Sequence, residues 1–393
     1  MSADPNDDPT AGAFNGLKRL ERTLPSSWYY DPAHHARELE AIWHRHWVYL
    51  CRASTLPETQ SFRTFTLGGQ PLLVVRDERG ELRAFYNTCR HRGSLLCRDA
   101  QGKLPAKSIT CPYHAWTYRL SGELARLPTH GRPHHVPVGE VSLYPVALKL
   151  WRGFVYVNLA APESAFSDNF NANTEQFANW PLEDLVIGHS LTKRLQCNWK
   201  VFWENYNECL HCPTVHPNLS SLVPIYKRGI MEPRDDPGWS AHERDEDPLY
   251  RGGLRRGAAT WSVDGRSLGH EFAALSAEER RLGYHYMTSL PSHYLVLHVD
   301  HVRSTRLLPL GPEETELSIE WLFPAATLAD RSVDIARACD FSAQVMAEDG
   351  AVCELTQQGL HARAHERGML MPEEYDVWRF HEWVRRTLNA RSA

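Results

Sequence analysis

The stretch Cys89-Arg90-His91-Arg92-Gly93 is followed, after residues 94–110, by Cys111-Pro112-Tyr113-His114. Each stretch offers one thiolate and one imidazole at close spacing. A 2Fe-2S cluster with mixed ligands needs this set, because two thiolates bind one iron and two neutral imidazoles bind the other. The pattern therefore predicts such a cluster between two turns of a β domain, with four ligands: Cys89, His91, Cys111 and His114.

A zinc site is the alternative, because Zn²⁺ takes the same residue types. Zinc fingers place both cysteines in one half of the motif and both histidines in the other, whereas here each half is mixed. A further cysteine, Cys97, lies near the first pair. The residues after Cys111 are Pro112 and Tyr113, so no cysteine stands there to form a disulfide with Cys97. We interpret Cys97 as a buried small apolar side chain.

The composition is that of an ordinary globular protein long enough for two domains, with 393 residues, 42% of them hydrophobic and 23% charged. The net charge is −5 and the basic residues are scattered, so we expect no nucleic-acid partner. We see no signal peptide and no apolar run near the roughly 20 residues that cross a bilayer, so we expect a cytoplasmic protein without a membrane segment. The nine cysteines form an odd set, and we expect few disulfides.

Local patterns divide the chain. Residues 1–12 carry several Asp and Pro, which predicts a disordered tail, and a helix is predicted at 31–47 with Asp31 as its N-cap. Short β segments follow from about residue 62 to 159. Beyond residue 185, strands at 294–301 and 316–323 mix with helices at 198–211, 330–360 and 373–388, and residues 228–257 are expected to be a long surface or lid loop. The fold class is therefore α+β.

A second group of metal-binding residue types lies between Asn198 and Pro217. Glu208 and His211 are three residues apart, so a helix would place them on one face. Pro213 should break that helix and bring His216 back toward His211. Two histidines in this relation favour a mononuclear iron(II) site, which needs one carboxylate and leaves open positions for dioxygen.

Asp349 is the best candidate for that carboxylate, because it is an acid in a mostly apolar, helix-like run. Glu348 is the competing choice. Glu204 lies one helical turn before Glu208, and we interpret it as structural. Cys209 and Cys212 form a Cys-x-x-Cys pair without a second such pair, and we interpret both as packing residues.

Both regions resemble one family, the Rieske non-haem iron oxygenase α subunits. The first resemblance extends through Ala115-Trp116-Thr117-Tyr118, and the second rests on Asn198-Trp199-Lys200, Glu204-Asn205-Tyr206 and Glu208-x-x-His211-x-x-x-x-His216-Pro217. The resemblance implies an N-terminal all-β Rieske domain and a C-terminal helix-grip (START-like) catalytic domain. The expected boundaries are 1–45 for the tail and first helix, 46–165 for the Rieske domain and 166–393 for the catalytic domain.

The resemblance also implies the roles of individual residues. His211, His216 and Asp349 would be the ligands of the mononuclear Fe(II). Glu208 would be the acidic bridge that accepts electrons from the Rieske centre of a neighbouring subunit through His114, in a cyclic homotrimer. The chain has no nucleotide-binding fingerprint, so a separate flavin- or ferredoxin-type reductase would supply electrons from NAD(P)H for the reaction with O₂.

The second motif looks most like the branch acting on quaternary ammonium compounds such as betaines, carnitine and choline. This implies a small-molecule substrate that is N-demethylated or hydroxylated. A cation favours aromatic walls, and the candidates are Trp203, Tyr206, Trp261 and Tyr294. Leu210 departs from the aromatic residue expected beside the first histidine, so an aromatic substrate stays open. A Rieske electron carrier without oxygenase activity is the alternative from another class.

Overall fold

The protein is described from a computed structural model, which covers residues 14–128, 138–160, 166, 170 and 174–390. The expected disordered tail at residues 1–12 lies outside the described residues. The chain forms two compact units, of which one comprises residues 42–171 with 289–293 and the other the remainder. We retain 1–45, 46–165 and 166–393 as proposed domain boundaries.

The described chain mixes strands and helices. Its strands are β1 (Glu21–Arg22), β2 (Val48–Arg52), β3 (Ser61–Leu67), β4 (Gln70–Arg76), β5 (Leu82–Tyr86), β6 (Gln101–Lys103), β7 (Ser108–Thr110), β8 (Thr117–Arg119), β9 (Leu124–Arg126), β10 (Pro145–Trp151), β11 (Phe154–Asn158), β12 (Val186–Leu195), β13 (Tyr284–Ser289), β14 (His293–His298), β15 (Val302–Gly311), β16 (Glu314–Phe323) and β17 (Met369–Leu370). Its α-helices are α1 (Pro32–Glu38), α2 (Trp199–Tyr206), α3 (Cys212–Val215), α4 (Pro217–Leu222), α5 (Pro248–Arg251), α6 (Ala277–Leu282), α7 (Ala325–Ala329), α8 (Ala336–Leu360) and α9 (Tyr375–Asn389).

The unit of residues 42–171 is built on β-sheets, as predicted. A seven-stranded sheet has the order β2-β11-β10-β5-β4-β3-β6, and a three-stranded sheet has the order β7-β8-β9. The first predicted ligand pair follows β5 and the second follows β7. Cys89 and Cys111 belong to one apolar core with Leu73, Ile109 and Tyr118, so the two sulfur atoms lie inside the domain.

The other unit has the predicted helix-grip arrangement of one sheet and one long helix. Its antiparallel sheet has the order β12-β16-β15-β14-β13, and α8 packs against α2 and β12. The buried residues of α8 recur every three or four positions, as a helix packed on a sheet requires. At Gly350 a Cβ atom would lie 2.9 Å from Leu195 of β12, so glycine permits the close approach of helix and strand.

Several predicted elements have different bounds in the structure. The helix predicted at 31–47 is α1 followed by a π-helical turn that ends at Trp43. Residues 228–257, predicted as a long surface or lid loop, contain only α5 and short 3₁₀ turns, and most of them are exposed or half-buried. The helix predicted at 198–211 ends at Tyr206, so the prediction that Glu208 and His211 share a helical face was wrong.

Two further features complete the fold. Strand β1 pairs antiparallel with β17 and thereby ties the N-terminal residues to the C-terminal part of the same unit. No helix within the described ranges is long and apolar enough to span a membrane.

Candidate metal centres

The structure brings His211, His216 and Asp349 together. Their potential ligand atoms all lie within 4.8 Å of one another. Oδ1 of Asp349 lies 2.8 Å from Nε2 of His216 and 3.4 Å from Nε2 of His211. Two imidazoles and one carboxylate form the facial donor set of non-haem iron(II) sites, so the residues present fit that metal.

Short elements position these three side chains. His211 ends the turn after α2, and His216 lies between α3 and α4. Pro213 does not break a helix as expected but occupies the first turn of α3, where its missing N–H group leaves no helical hydrogen bond unmade. Asp349 comes from α8, on the face that also buries Met346.

The remaining nitrogen of each histidine ring contacts an acid. Nδ1 of His211 lies 2.5 Å from Oε1 of Glu208, and Nδ1 of His216 lies 2.7 Å from Oε2 of Glu348. Such contacts fix the ring orientation and leave Nε2 available for a metal. Glu348, the competing candidate for the third ligand, therefore lies on the opposite side of the His216 ring from Asp349.

The electrostatics of this centre favour a bound cation. Burial disfavours a charged His211, but its hydrogen bonds with Asp349 and Glu208 outweigh burial and raise the pKa of His211 to about 9. Burial also opposes ionisation of Asp349, yet the hydrogen bonds with the two histidines hold the pKa of this carboxyl below its ordinary value. In the chain alone, protons on the imidazoles balance acids that a divalent metal would otherwise neutralise.

The four predicted cluster ligands also lie together. The rings of His91 and His114 meet edge to face with centroids 4.7 Å apart, and the His91 ring stacks on Trp116 at 4.9 Å. Cys89 and Cys111 are both almost fully buried. Burial raises the pKa of the Cys89 thiol, and Sγ of Cys89 lies 3.4 Å from the Tyr118 hydroxyl.

Backbone hydrogen bonds shape both cluster loops. The amide of Gly93 donates to the carbonyl of Cys89, and the amide of Ala115 donates to the carbonyl of Cys111, so each loop closes as a tight turn. Burial favours the neutral Cys111 thiol, but hydrogen bonds from the backbone of His114 and neighbouring groups lower its pKa. Two buried sulfur atoms and two adjoining imidazoles are the donor set of a Rieske cluster, which these residues fit.

The sequence regions that contain the two predicted metal centres each match a known protein family. Residues 46–145 match the family described as Rieske [2Fe-2S] domain, and residues 175–390 match the Ring hydroxylating alpha subunit (catalytic domain). The second match alone covers more than half of the chain. The chain belongs to the ring-hydroxylating oxygenase α-subunit family. It is a Rieske non-haem iron oxygenase, and its cofactors are a Rieske 2Fe-2S cluster and a mononuclear iron that reacts with O₂.

Individual relatives of this Rieske oxygenase carry quaternary ammonium names. The chain is 28% identical to the glycine betaine monooxygenase oxygenase subunit of Chromohalobacter salexigens, over 98% of this chain and 91% of that protein. It is 27% identical to the chloroplastic choline monooxygenase of Beta vulgaris, over 93% of this chain and 77% of that protein.

Solved structures show the same fold. The quaternary ammonium Rieske monooxygenase CntA with L-carnitine superposes with a TM-score of 0.69 at 20% identity, covering 93% of this chain and 96% of that one. Naphthalene 1,2-dioxygenase from Rhodococcus sp. superposes with a TM-score of 0.70 at 19% identity, covering 94% and 95%. At these identities, the likeness establishes the architecture alone.

A cavity adjoins the iron-binding residues of this Rieske oxygenase. It encloses about 440 Å³, part of it open to solvent, and the metal-binding trio lies in its wall. Two of the predicted aromatic residues, Tyr206 and Trp261, line it, whereas Trp203 and Tyr294 are not among its lining residues. Trp203 instead packs on Tyr294 and Phe380 in the core.

Six residues of the cavity wall were not singled out from the sequence, and three of them are aromatic or charged: Tyr226, Tyr286 and Arg303. Tyr226 and Tyr286 both line it, and their hydroxyl groups lie 2.7 Å apart in a hydrogen bond. Arg303 of β15 lines it as well. These residues carry no local motif, and Tyr226 lies in a 3₁₀ turn rather than in a strand, so no signal in the sequence pointed to them.

The oxygenase contains one cysteine pair that differs from expectation. The structure joins Cys209 and Cys212 in a disulfide on either side of His211 and Leu210, whereas we had interpreted both as packing residues. The two Cα atoms lie 4.9 Å apart, within the range that a disulfide spans, and the interpretation had not considered that the two cysteines could pair with each other. Cys97 is free and buried, as predicted, and burial raises its pKa to about 11.

Proposed function

We propose that this enzyme oxidises a small quaternary ammonium compound, by hydroxylating an N-methyl carbon or an adjacent carbon. The observation that carries the proposal is the aromatic wall of the cavity beside the iron-binding trio. Four rings contribute to it: Tyr206, Tyr226, Trp261 and Tyr286. Methylated ammonium groups bind over aromatic faces because the ring quadrupole attracts the cation. The names of the relatives support the same substrate class.

The metal ligands are part of this proposal. His211, His216 and Asp349 would hold the iron, and Cys89, His91, Cys111 and His114 would hold the cluster. The iron and cluster supply dioxygen activation and electrons, while the protein orients the substrate and shields it from water. Hydroxylation of an N-methyl group inserts one oxygen atom, reduces the other to water with two electrons and two protons, and is followed by loss of formaldehyde.

We further propose that Glu208 connects the two metal centres of neighbouring copies in a cyclic homotrimer. Its carboxylate contacts His211 within the chain, and its side chain keeps about 12% exposure. His91 is exposed and His114 is half-buried in its own unit, so a second copy could reach the cluster edge. A separate flavin- or ferredoxin-type reductase would deliver the electrons. An active monomer in light scattering would contradict the trimer.

A cytoplasmic location is part of the proposal. Five of the nine cysteines are neither in the disulfide nor proposed as cluster ligands, and such free thiols are typical of proteins that work in a reducing compartment.

A substrate screen tests the proposed class. The chemically reduced enzyme is mixed with oxygen and with glycine betaine, carnitine, choline or aromatic acids, and oxygen uptake and formaldehyde are measured. We expect coupled oxygen uptake with at least one quaternary ammonium compound and none in the His216→Ala variant. Coupled turnover of aromatic acids only would support the alternative, an aromatic substrate. A protein that holds the cluster but takes up no iron and no oxygen would support an electron carrier.

A further inference from the structure

Arg303 is a buried cation in the wall of the substrate cavity. It lies on β15, opposite Trp321 of β16, and its side chain is 3% exposed. The cavity that it lines also contains the metal-binding trio. A guanidinium group remains charged in proteins, so this position places a permanent positive charge beside the reaction site.

This charge has no counterion among the described residues. Nε and Nη1 of Arg303 are buried and make no hydrogen bond, and no carboxylate of the described chain forms an ion pair with it. Arg306, on the same strand, shows the usual arrangement: it contacts the carboxylate of Glu316 at 2.8 Å. An unpaired buried charge is costly, so a partner from outside the chain would account for Arg303.

The surroundings of Arg303 provide donors and aromatic faces but no free anion. Its guanidinium lies 5.7 Å from the Trp261 ring centroid and 5.9 Å from that of Tyr294. The indole N–H of Trp261, in the same cavity wall, is also buried without a hydrogen-bond acceptor. The two acids that line the cavity are both engaged, Asp349 by His211 and His216, and Glu208 by His211. The N–H groups of Arg303 and Trp261 therefore lack a hydrogen-bond acceptor within the cavity. A bound molecule could supply that acceptor.

We propose that Arg303 binds the carboxylate of the substrate, which restricts the enzyme to zwitterionic betaines. Only the binding of the substrate's ammonium group rests on the proposed function. The carboxylate pairs with the guanidinium, which has the planar fork suited to it. The methylated ammonium then faces the rings of Tyr226 and Tyr286. A simple quaternary cation such as choline leaves the guanidinium unpaired and adds a like charge, so it binds poorly.

The test compares two substrates that differ at the carboxylate. Glycine betaine and choline are assayed by oxygen uptake with the wild type, Arg303→Gln, Arg303→Lys and Arg194→Gln. Arg194 is a matched control, since it lies in the same sheet but is 66% exposed and paired with Glu314. Iron content and the cluster spectrum establish that each variant is folded and loaded. Benzoate and benzyl alcohol form a second pair, whose binding is measured by thermal shift.

We expect Arg303→Gln to raise KM for glycine betaine by about thirty-fold or more, as for loss of one partner in a buried charge pair. The KM for choline should fall in this variant, because the like charge is removed. Arg303→Lys should retain part of the affinity, and Arg194→Gln should match the wild type. An equal KM for glycine betaine in wild type and Arg303→Gln would overturn the inference while leaving the proposed function intact. If none of glycine betaine, carnitine and choline reacts but Arg303→Gln abolishes benzoate binding, the proposed function fails and the carboxylate site stands.

Discussion

At the scale of single residues, neighbouring acids have different tasks. Asp349 points to the Nε2 atoms of both histidines, whereas Glu348 contacts Nδ1 of His216 and accepts a hydrogen bond from Gln344 at 2.8 Å. Two consecutive residues on a helix point about 100° apart, so only one of them can face the metal position. The geometry therefore separates a proposed ligand from an orienting residue.

Substitutions of these two acids should reduce iron binding to different extents. Asp349→Ala should abolish mononuclear iron binding, so that iron content falls from about three to about two atoms per chain, the pair in the cluster. Glu348→Ala should retain the iron but bind it some 10- to 100-fold more weakly, because His216 loses its orienting partner. Iron analysis and titration of the iron-depleted protein distinguish the variants. Equal iron loss in both would contradict the assignment.

Residues of the site that are close together in sequence were easier to predict than residues that are far apart. His211 and His216 stand out because they are close in sequence beside an acid, and the family motif then directs attention to Asp349. Arg303 and Tyr286 lie on strands far from that motif, and only the folded sheet brings them to the cavity. Sequence spacing carries no information on such contacts, so the sequence pointed to the three residues that the structure brings together but not to Arg303 and Tyr286.

At the scale of elements, the end of α2 differs from expectation for a local reason. Asn198 caps the helix by accepting a hydrogen bond from the amide of Lys200 at 3.0 Å, as asparagine commonly does at this position. At the other end, the Glu208 carboxylate accepts from the amides of Leu210 and His211. A side chain that bonds to following backbone groups competes with helix continuation, which apolar periodicity does not reveal.

Strand β15 was missed for a different reason. Its residues Ser304, Thr305 and Arg306 are buried although they are polar. The alternation of apolar and polar residues that marks a half-exposed strand is therefore absent. In contrast, β16 buries every second residue along most of its length, and its prediction at 316–323 was confirmed within the strand Glu314–Phe323.

The segment that leads into α9 should make stability depend on pH. Burial raises the pKa of Glu374 to about 7, and the nearby charges of Glu208 and Glu204 add to the effect. The folded state therefore favours the protonated carboxyl, so this contribution is present at low pH and is lost as the pH rises through about 7. Glu374→Gln should remove that loss.

We expect Glu374→Gln to be more stable than the wild type at pH 8, by roughly 1 to 2 kcal/mol after allowance for solvent screening, and no more stable at pH 5. Glu373→Gln removes the same charge from the neighbouring position and serves as the control. Denaturant unfolding at both pH values measures the difference. A Glu374→Gln gain of equal size at pH 5 and pH 8 would refute this explanation.

At the scale of the whole molecule, two compact units carry two kinds of metal centre. One carries the four proposed cluster ligands, of which His91 is exposed and His114 half-buried, and the other carries the proposed iron ligands with Glu208, whose side chain is 12% exposed, beside them. In this arrangement, one centre would store an electron and the other would hold substrate and dioxygen. We propose that Glu208 couples the two centres between neighbouring copies.

The most direct test of that claim is a single turnover of the wild type and Glu208→Gln. Both proteins are reduced at the cluster, supplied with iron and glycine betaine, and mixed with oxygen while the visible spectrum of the cluster is followed. The amide keeps the shape and an acceptor for His211 but removes the negative charge. We predict that both metals stay bound in Glu208→Gln, while cluster reoxidation and formaldehyde release slow by roughly 100-fold, the upper end of losses for residues behind a metal ligand. Reoxidation at the wild-type rate in this variant would contradict the bridge.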